Sequence, residues 1–307
     1  MTDHRPATPA IDSQADDDDG IAPLWTRFLS RWPWPALYGL ASFLAFLAYY
    51  VVGHKRKVIA HSLDVAFPER TAAERKRIRR DYYRGFADVM VEIAKTPRMS
   101  AEDIRARVRI RNIDAVSAPL RAGRPVLVVT AHQCNWEWML HALALSLEFP
   151  TDATYKPLRN AWADRFMLQL RARFGSRMVP AADFLGDILK RLKVVRAVCM
   201  VADQEPKTSD YKHWTRFLNR DTAFFMGAEH IAKATRYQAI FLRMRRVARG
   251  RYEIEFVPLA EAAERLPAGA FTERYVRLVE AQIVEAPGDW LWSHKRWKLK
   301  RSMYAAR

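Results

Sequence analysis

The chain has 307 residues, half of them apolar, and its 51 Lys and Arg against 34 Asp and Glu give a formal net charge of +17. That length and composition support a full core in one large or two modest domains, and the charge calls for an acidic partner: nucleic acid, an anionic membrane surface or an acidic protein. Only two cysteines occur, Cys134 and Cys199, both in or beside apolar segments, which excludes a disulfide framework and fits a reducing compartment.

Residues 1–22 contain Asp16–Asp19 and little that can pack, so they read as a disordered acidic tail. The run Trp34–Val52 has no charged residue over 19 positions. As a helix it would be about 28 Å long, close to the hydrocarbon thickness of a bilayer. Trp32 and Trp34 stand at one end, Tyr49 and Tyr50 at the other, and His54-Lys-Arg-Lys57 follows. This predicts a membrane anchor over 23–57, a transmembrane span in preference to a helix lying in plane, with everything after it on the cytoplasmic side. Residues 58–307 would form the main domain. Within it Glu74–Lys95 reads as an Arg-rich amphipathic helix, and Arg105–Arg111 alternates strictly, as an edge strand would.

From there strand-like and helix-like runs alternate. Val126–Thr130, Ala153–Tyr155, Arg177–Val179, Ala197–Ala202, Ala239–Arg246 and Tyr252–Val257 read as strands. Asn160–Phe174, Asp183–Lys193 (capped by Asp183), Phe224–Thr235 and Phe271–Glu285 read as helices. The alternation predicts an α/β fold: a mixed, mostly parallel sheet flanked by helices. No glycine-rich phosphate loop, zinc spacing or dinucleotide fingerprint appears, so no cofactor or metal is expected.

The most informative stretch is Val126–Glu137. The β-branched strand ends before His132, and a helix begins after Asn135, an N-cap residue, with Trp136, Met139, Leu140 and Leu143 at helical spacing. His132 therefore lies in the turn at a strand's carboxyl end, where open α/β sheets place their ligands. A histidine there suits a general base near neutral pH, and Glu137 in the first helical turn is placed to orient its ring. The spacing alone also fits a plain turn histidine beside a solvated helix-start glutamate.

Several blocks, in order, resemble the late acyltransferases of lipid A biosynthesis, the lauroyl/myristoyl type within the His-x4-Asp/Glu glycerolipid-acyltransferase-like group. After the apolar anchor come Ala66-Phe-Pro-Glu69, His132-Gln-Cys-Asn-Trp-Glu137, Arg171-Ala-Arg173, Ala202-Asp-Gln-Glu205 and Trp290-Leu-Trp-Ser-His-Lys-Arg-Trp-Lys298. Two blocks depart from the family pattern. Gln133-Cys134 stands where the family has an apolar residue and a glycine, and Phe224–Gly227 replaces a threonine-rich run; both are expected to line the acceptor or acyl pocket.

The resemblance implies O-acyl transfer from an acyl carrier protein thioester to a hydroxyl of an anionic lipid acceptor, a lipid A precursor, at the bacterial inner membrane and with no nucleic acid partner. It implies His132 and Glu137 as the catalytic pair. Asn135, Trp136, Arg171, Arg173, Asp203, Gln204, His294 and Arg296 are the expected substrate-binding residues, the arginines because forked guanidinium groups suit phosphate oxygens. A covalent acyl-Cys134 route is the rival mechanism. Other lipid acceptors, coenzyme A as donor, or a non-catalytic basic membrane-surface protein are the alternative readings.

Overall fold

The computed structural model describes residues 24–301; the expected acidic tail at 1–22 lies outside them. Five helices come first: α1 (Leu24–Leu29), α2 (Trp34–Phe46, running on as a π-helical turn Leu47–Val52), α3 (Arg56–Ala66), α4 (Ala72–Lys95) and α5 (Ala101–Arg107). Then follow β1 (Val108–Ile110), α6 (Asp114–Arg121), β2 (Val126–Thr130), α7 (Trp136–Ser146), β3 (Thr151–Tyr155), α8 (Ala161–Ala172), β4 (Ser176–Pro180), α9 (Phe184–Lys190) and β5 (Ala197–Val201). A hairpin of β6 (Lys212–Phe217) and β7 (Arg220–Phe225) precedes α10 (Gly227–Thr235), β8 (Gln238–Ala248), β9 (Arg251–Ala260) and α11 (Ala270–Glu285).

Seven strands form one sheet in the order β1-β9-β8-β2-β5-β3-β4, parallel from β8 to β4, with β9 turning back antiparallel on β8 and β1 parallel to β9. This is the mixed, mostly parallel sheet that the alternation predicted. All five residues of the central β2 are buried, as expected of a strand covered on both faces. Its side chains alternate between two cores. Val126 and Val128 pack with Trp138 and Met139 of α7, while Leu127 and Val129 pack with α11 and the N-terminal helices.

Three sequence expectations shift. Arg105–Arg107 close α5 rather than open a strand, because Ser100 and Asp103 form a capping box and pairing with β9 starts only at Val108. Phe224 and Phe225 belong to β7, so α10 starts at Gly227. Asp183 makes no side-chain cap to α9.

The apolar segment Trp34–Val52 is a single 19-residue helical run, long and apolar enough to cross a membrane. It does not stand free of the domain. Leu37, Ala41, Ala45 and Tyr49, each four residues on, are buried and lie in one core with Tyr82, Tyr83 and Ala87 of α4. Polar ties run along the same face: Tyr38 donates to Glu92 (3.1 Å), Arg249 to the Tyr38 carbonyl (2.9 Å) and the Ser42 hydroxyl (3.0 Å), and Arg79 to the Tyr49 hydroxyl (3.2 Å). The other face, with Phe43, Phe46, Tyr50, Val51 and Val52, is exposed.

Candidate active site

The register of β2 on β5 pairs Thr130 with Val201, so the residues two beyond each strand end, His132 and Asp203, meet across the top of the sheet. The Asp203 carboxylate accepts from His132 Nδ1 at 2.7 Å and from the His132 backbone N–H at 3.1 Å. Trp290 Nε1 donates to the same carboxylate at 2.8 Å. Asp203 is 3 % exposed. Burial works against its charge, but the imidazole and the three donated hydrogen bonds outweigh burial and hold the carboxyl below its ordinary range. An ionised acceptor at Nδ1 fixes the proton there and leaves Nε2 as the basic nitrogen. That nitrogen faces the Gln204 amide at 3.4 Å.

The turn itself is clamped from the C-terminal block. Leu291 N–H donates to the His132 carbonyl (3.1 Å), and Cys134 N–H donates to the Asp289 carbonyl (2.9 Å). Cys134 has φ +54°, a left-handed conformation that glycine adopts without strain. Asn135 caps α7 through Trp138 N–H (3.0 Å). Its amide donates to buried Glu92 at 2.8 Å.

Glu137 does not touch the His132 ring. Its oxygens accept a two-pronged grip from Arg171, Nε at 2.9 Å and Nη2 at 2.7 Å, and a bond from Trp136 Nε1 at 3.1 Å. Burial raises the Glu137 carboxyl, but Arg171 more than offsets it and holds it below the ordinary range. The carboxylate partner expected at position 137 is therefore supplied to His132 by Asp203, a residue expected only to bind substrate.

His132 and Glu137 nevertheless line one cleft of about 490 Å³, opening between α7 and the carboxyl ends of β2, β3 and β5. Val128, Met139, Leu143, Met178 and Cys199 make its walls apolar. Trp136 also lines it, edge-on to the His132 ring at 5.4 Å, as do Arg171 and Gln204. Lys156 and Arg159, which the sequence reading missed, line it too. Their signal was available: they follow β3, whose carboxyl end lies on the same edge of the sheet as His132.

Arg173, His294 and Arg296 are absent from the lining of this cleft. Arg173 donates to the Met99 carbonyl (3.2 Å). Arg296 is 1 % exposed, donates to the Ala223 carbonyl (2.6 Å) and lies over the Phe224 ring. Burial lowers its guanidinium to about 10. Burial likewise lowers His294, beside Asp203 and His132, to about 4, so it is neutral at physiological pH. Trp290 and Trp292 are buried, whereas Lys295 and Lys298 of the same block are exposed.

Residues 21–299 match the family described as bacterial lipid A biosynthesis acyltransferase. The chain belongs to this family. It is 22 % identical over 284 residues to the lipid A biosynthesis palmitoleoyltransferase of Escherichia coli (strain K12), covering 92 % of this chain and 90 % of that one. It is 23 % identical over 285 residues to the lipid A biosynthesis lauroyltransferase of the same organism, with the same coverage. A lipid A biosynthesis acyltransferase of Shigella flexneri is 22 % identical over 284 residues.

The two departures from the family pattern are absent from the lining of the His132 cleft of this acyltransferase. Gln133 is fully buried and donates to the Gln282 and Ala286 carbonyls (3.2 and 3.3 Å), tying the turn to α11. Phe224 is buried edge-on against Phe217. Cys134 is buried, and burial pushes its thiol well above the usual range, the reverse of an activated nucleophile. Cys134→Ala is expected to retain acyl transfer within about threefold, because the thiolate a covalent route needs is not formed. Loss of turnover with an intact melting profile would restore the acyl-cysteine route.

Proposed function

We propose that this acyltransferase moves a fatty acyl chain from an acyl carrier protein thioester to a hydroxyl of a lipid A precursor, on the cytoplasmic side of the bacterial inner membrane. The observation that carries the reading is the His132–Asp203 pair opening onto an apolar cleft. His132 Nε2 takes the proton of the acceptor hydroxyl as its oxygen attacks the thioester carbonyl carbon. The oxyanion of the tetrahedral intermediate meets the amide N–H groups at the start of α7 and the Gln204 amide. Collapse breaks the carbon–sulfur bond, and the departing thiolate takes the proton from the imidazolium. Asp203 stays ionised throughout and offsets the imidazolium charge.

The apolar walls suit the acyl chain, and Lys156, Arg159 and Arg171 suit phosphate oxygens of the carrier's pantetheine arm or of the acceptor. Glu137 acts at one remove, by holding the Arg171 guanidinium at the cleft wall. The net charge of +17 suits an acidic carrier.

The packing of α2 supports an attitude other than the span expected from its length. A transbilayer course would draw Arg79, Asp88, Glu92 and Arg249 into hydrocarbon with it, at several kcal/mol each. Its exposed face of Phe43, Phe46, Tyr50, Val51 and Val52 supports an anchor lying in the interface plane.

Mass spectrometry of total lipids from cells with and without the protein tests the function. The expected difference is a lipid A species lacking one acyl group in the cells without it. An unchanged lipid A profile with a changed lysophospholipid or aminolipid would move the same chemistry to another acceptor.

A further inference from the structure

A second, larger cavity, about 930 Å³, lies on the far side of the catalytic turn, between the apolar anchor and α4. One wall is apolar: Ala45, Phe46, Tyr49 and Tyr50. The facing wall is charged, with arginines in excess over Glu74, Asp81 and Asp88. Arg77, Arg80 and Arg84 line it from one side of α4, at the spacing of successive helical turns.

These arginines are not neutralised like others nearby. Arg249 is spent on Asp88 (2.6 Å) and Arg246 on Asp289 (3.0 Å). Arg77 has only a loose contact to Asp81 at 3.8 Å. Arg80 and Arg84 meet no carboxylate among the described residues. In the floor, Arg246 is neutralised too, with Nε on Asp289 and Nη1 3.6 Å from the Asp88 carboxylate, so the spare donors are those of Arg80 and Arg84. The groove thus gathers spare guanidinium donors beside an exposed apolar helix face, and that pairing selects an anion carrying hydrocarbon over a free one.

We infer that this groove binds the phosphate headgroup of a non-reacting anionic lipid of the host bilayer. The phosphate sits between Arg80 and Arg84, and the chains lie along Phe46, Tyr50, Val51 and Val52. The floor connects this site to the chemistry. Gly85 and Gly288 let α4 and the Pro287–Asp289 turn approach so closely that a Cβ on Gly288 would stand 3.0 Å from Asp81 Cβ. Asp289 holds the catalytic turn through Cys134 N–H, and the adjoining Trp290 holds Asp203. The bound lipid therefore sets both the height of the domain on the bilayer and the seat of the segment that fixes Asp203.

The inference rests on the membrane attachment proposed above and not on the acyl transfer, so it is tested without an acceptor. The full-length protein in detergent is mixed with phosphatidylcholine vesicles with and without phosphatidylglycerol at about one part in five, and bound lipid is counted by native mass spectrometry. The wild type is expected to prefer the anionic vesicles and to retain one phosphatidylglycerol. The double variant Arg80→Gln/Arg84→Gln is expected to lose about 30-fold in vesicle affinity and to lose the retained lipid. A control of equal charge change away from the groove, Arg121→Gln/Arg124→Gln, is expected to change affinity less than threefold.

Equal losses in the two variants would overturn the site in favour of diffuse charge. So would full displacement of the lipid by inorganic phosphate at matched ionic strength. If deleting residues 2–22 raised binding and abolished the effect of the groove variant, the occupant would be the chain's own acidic segment, and the proposal would fall. A wild type that binds neither vesicle would sink the membrane reading itself.

Discussion

Asp203→Asn is expected to cut acyl transfer by about 10³- to 10⁴-fold while leaving the protein folded. The argument is one of tautomer. Asp203 Oδ2 accepts from the His132 backbone N–H and from Trp290 Nε1, and Oδ1 accepts from Nδ1. An asparagine keeps the two fixed donors satisfied only by placing its oxygen at the Oδ2 position. Its NH₂ then faces His132 Nδ1 and forces that nitrogen to accept. The ring proton moves to Nε2, so the nitrogen that should take the acceptor's proton already carries one. His132→Ala removes the base outright and is expected to lose at least as much. Initial rates with an acyl carrier protein thioester and a lipid A precursor, read beside thermal melts, check both. An Asp203→Asn protein within threefold of wild-type turnover would show that the pair does not perform the proton transfer.

The place of His132 was legible because it depends on local rules. A β-branched run bounded by Gly123 and Pro125 had to be a buried strand, and Asn135 had to cap what followed. Its partner was not legible in the same way. Glu137 is five residues away in sequence, but as the second residue of α7 it faces α8 and Arg171. Asp203 is 71 residues away and becomes a neighbour only because β5 lies beside β2 in register. Strand order is a tertiary property, which hydrophobic periodicity does not encode. The available hint was weaker: Asp203 ends a buried strand, and such ends gather along one edge of a parallel sheet.

The same distinction explains the C-terminal block. As a string of letters it does not say which of its tryptophans and cations turn inward. In the fold Trp290 and Trp292 are both buried, edge to face, with Trp290 bonded to Asp203 beside the His132 turn, and Arg296 is carried with them into the interior above Phe224. The anchor is the converse case. Composition gave a helix of membrane length, and only its packing through Leu37, Ala41, Ala45 and Tyr49 on α4 shows which face is left exposed.

The Glu137–Arg171 pair is expected to behave as a structural unit whose halves are worse alone than absent together. Glu137 is 4 % exposed and Arg171 21 % at their side chains. Glu137→Ala strands a mostly buried guanidinium beside apolar cleft wall, and Arg171→Met strands a buried carboxylate with only Trp136 Nε1 as donor. Each single change is expected to cost about 3 kcal/mol, and the double change Glu137→Leu/Arg171→Met distinctly less, since no uncompensated charge remains. The sign of the pH dependence separates this from simple loss of packing. Arg171 holds the Glu137 carboxyl below its ordinary 4.5, so its stabilisation is fully present above that value and is lost as pH falls through the lowered one. In Arg171→Met burial is opposed by little more than the Trp136 hydrogen bond, so the carboxyl rises and is protonated at higher pH. The stability gap between wild type and Arg171→Met should therefore be widest near neutrality and close as the solution is acidified. Thermal melts of the four proteins across that range measure it. A gap that stays constant with pH would mean that the pair contributes shape and no charge, and that Arg171 is free of the restraint by which Glu137 is argued to serve the reaction.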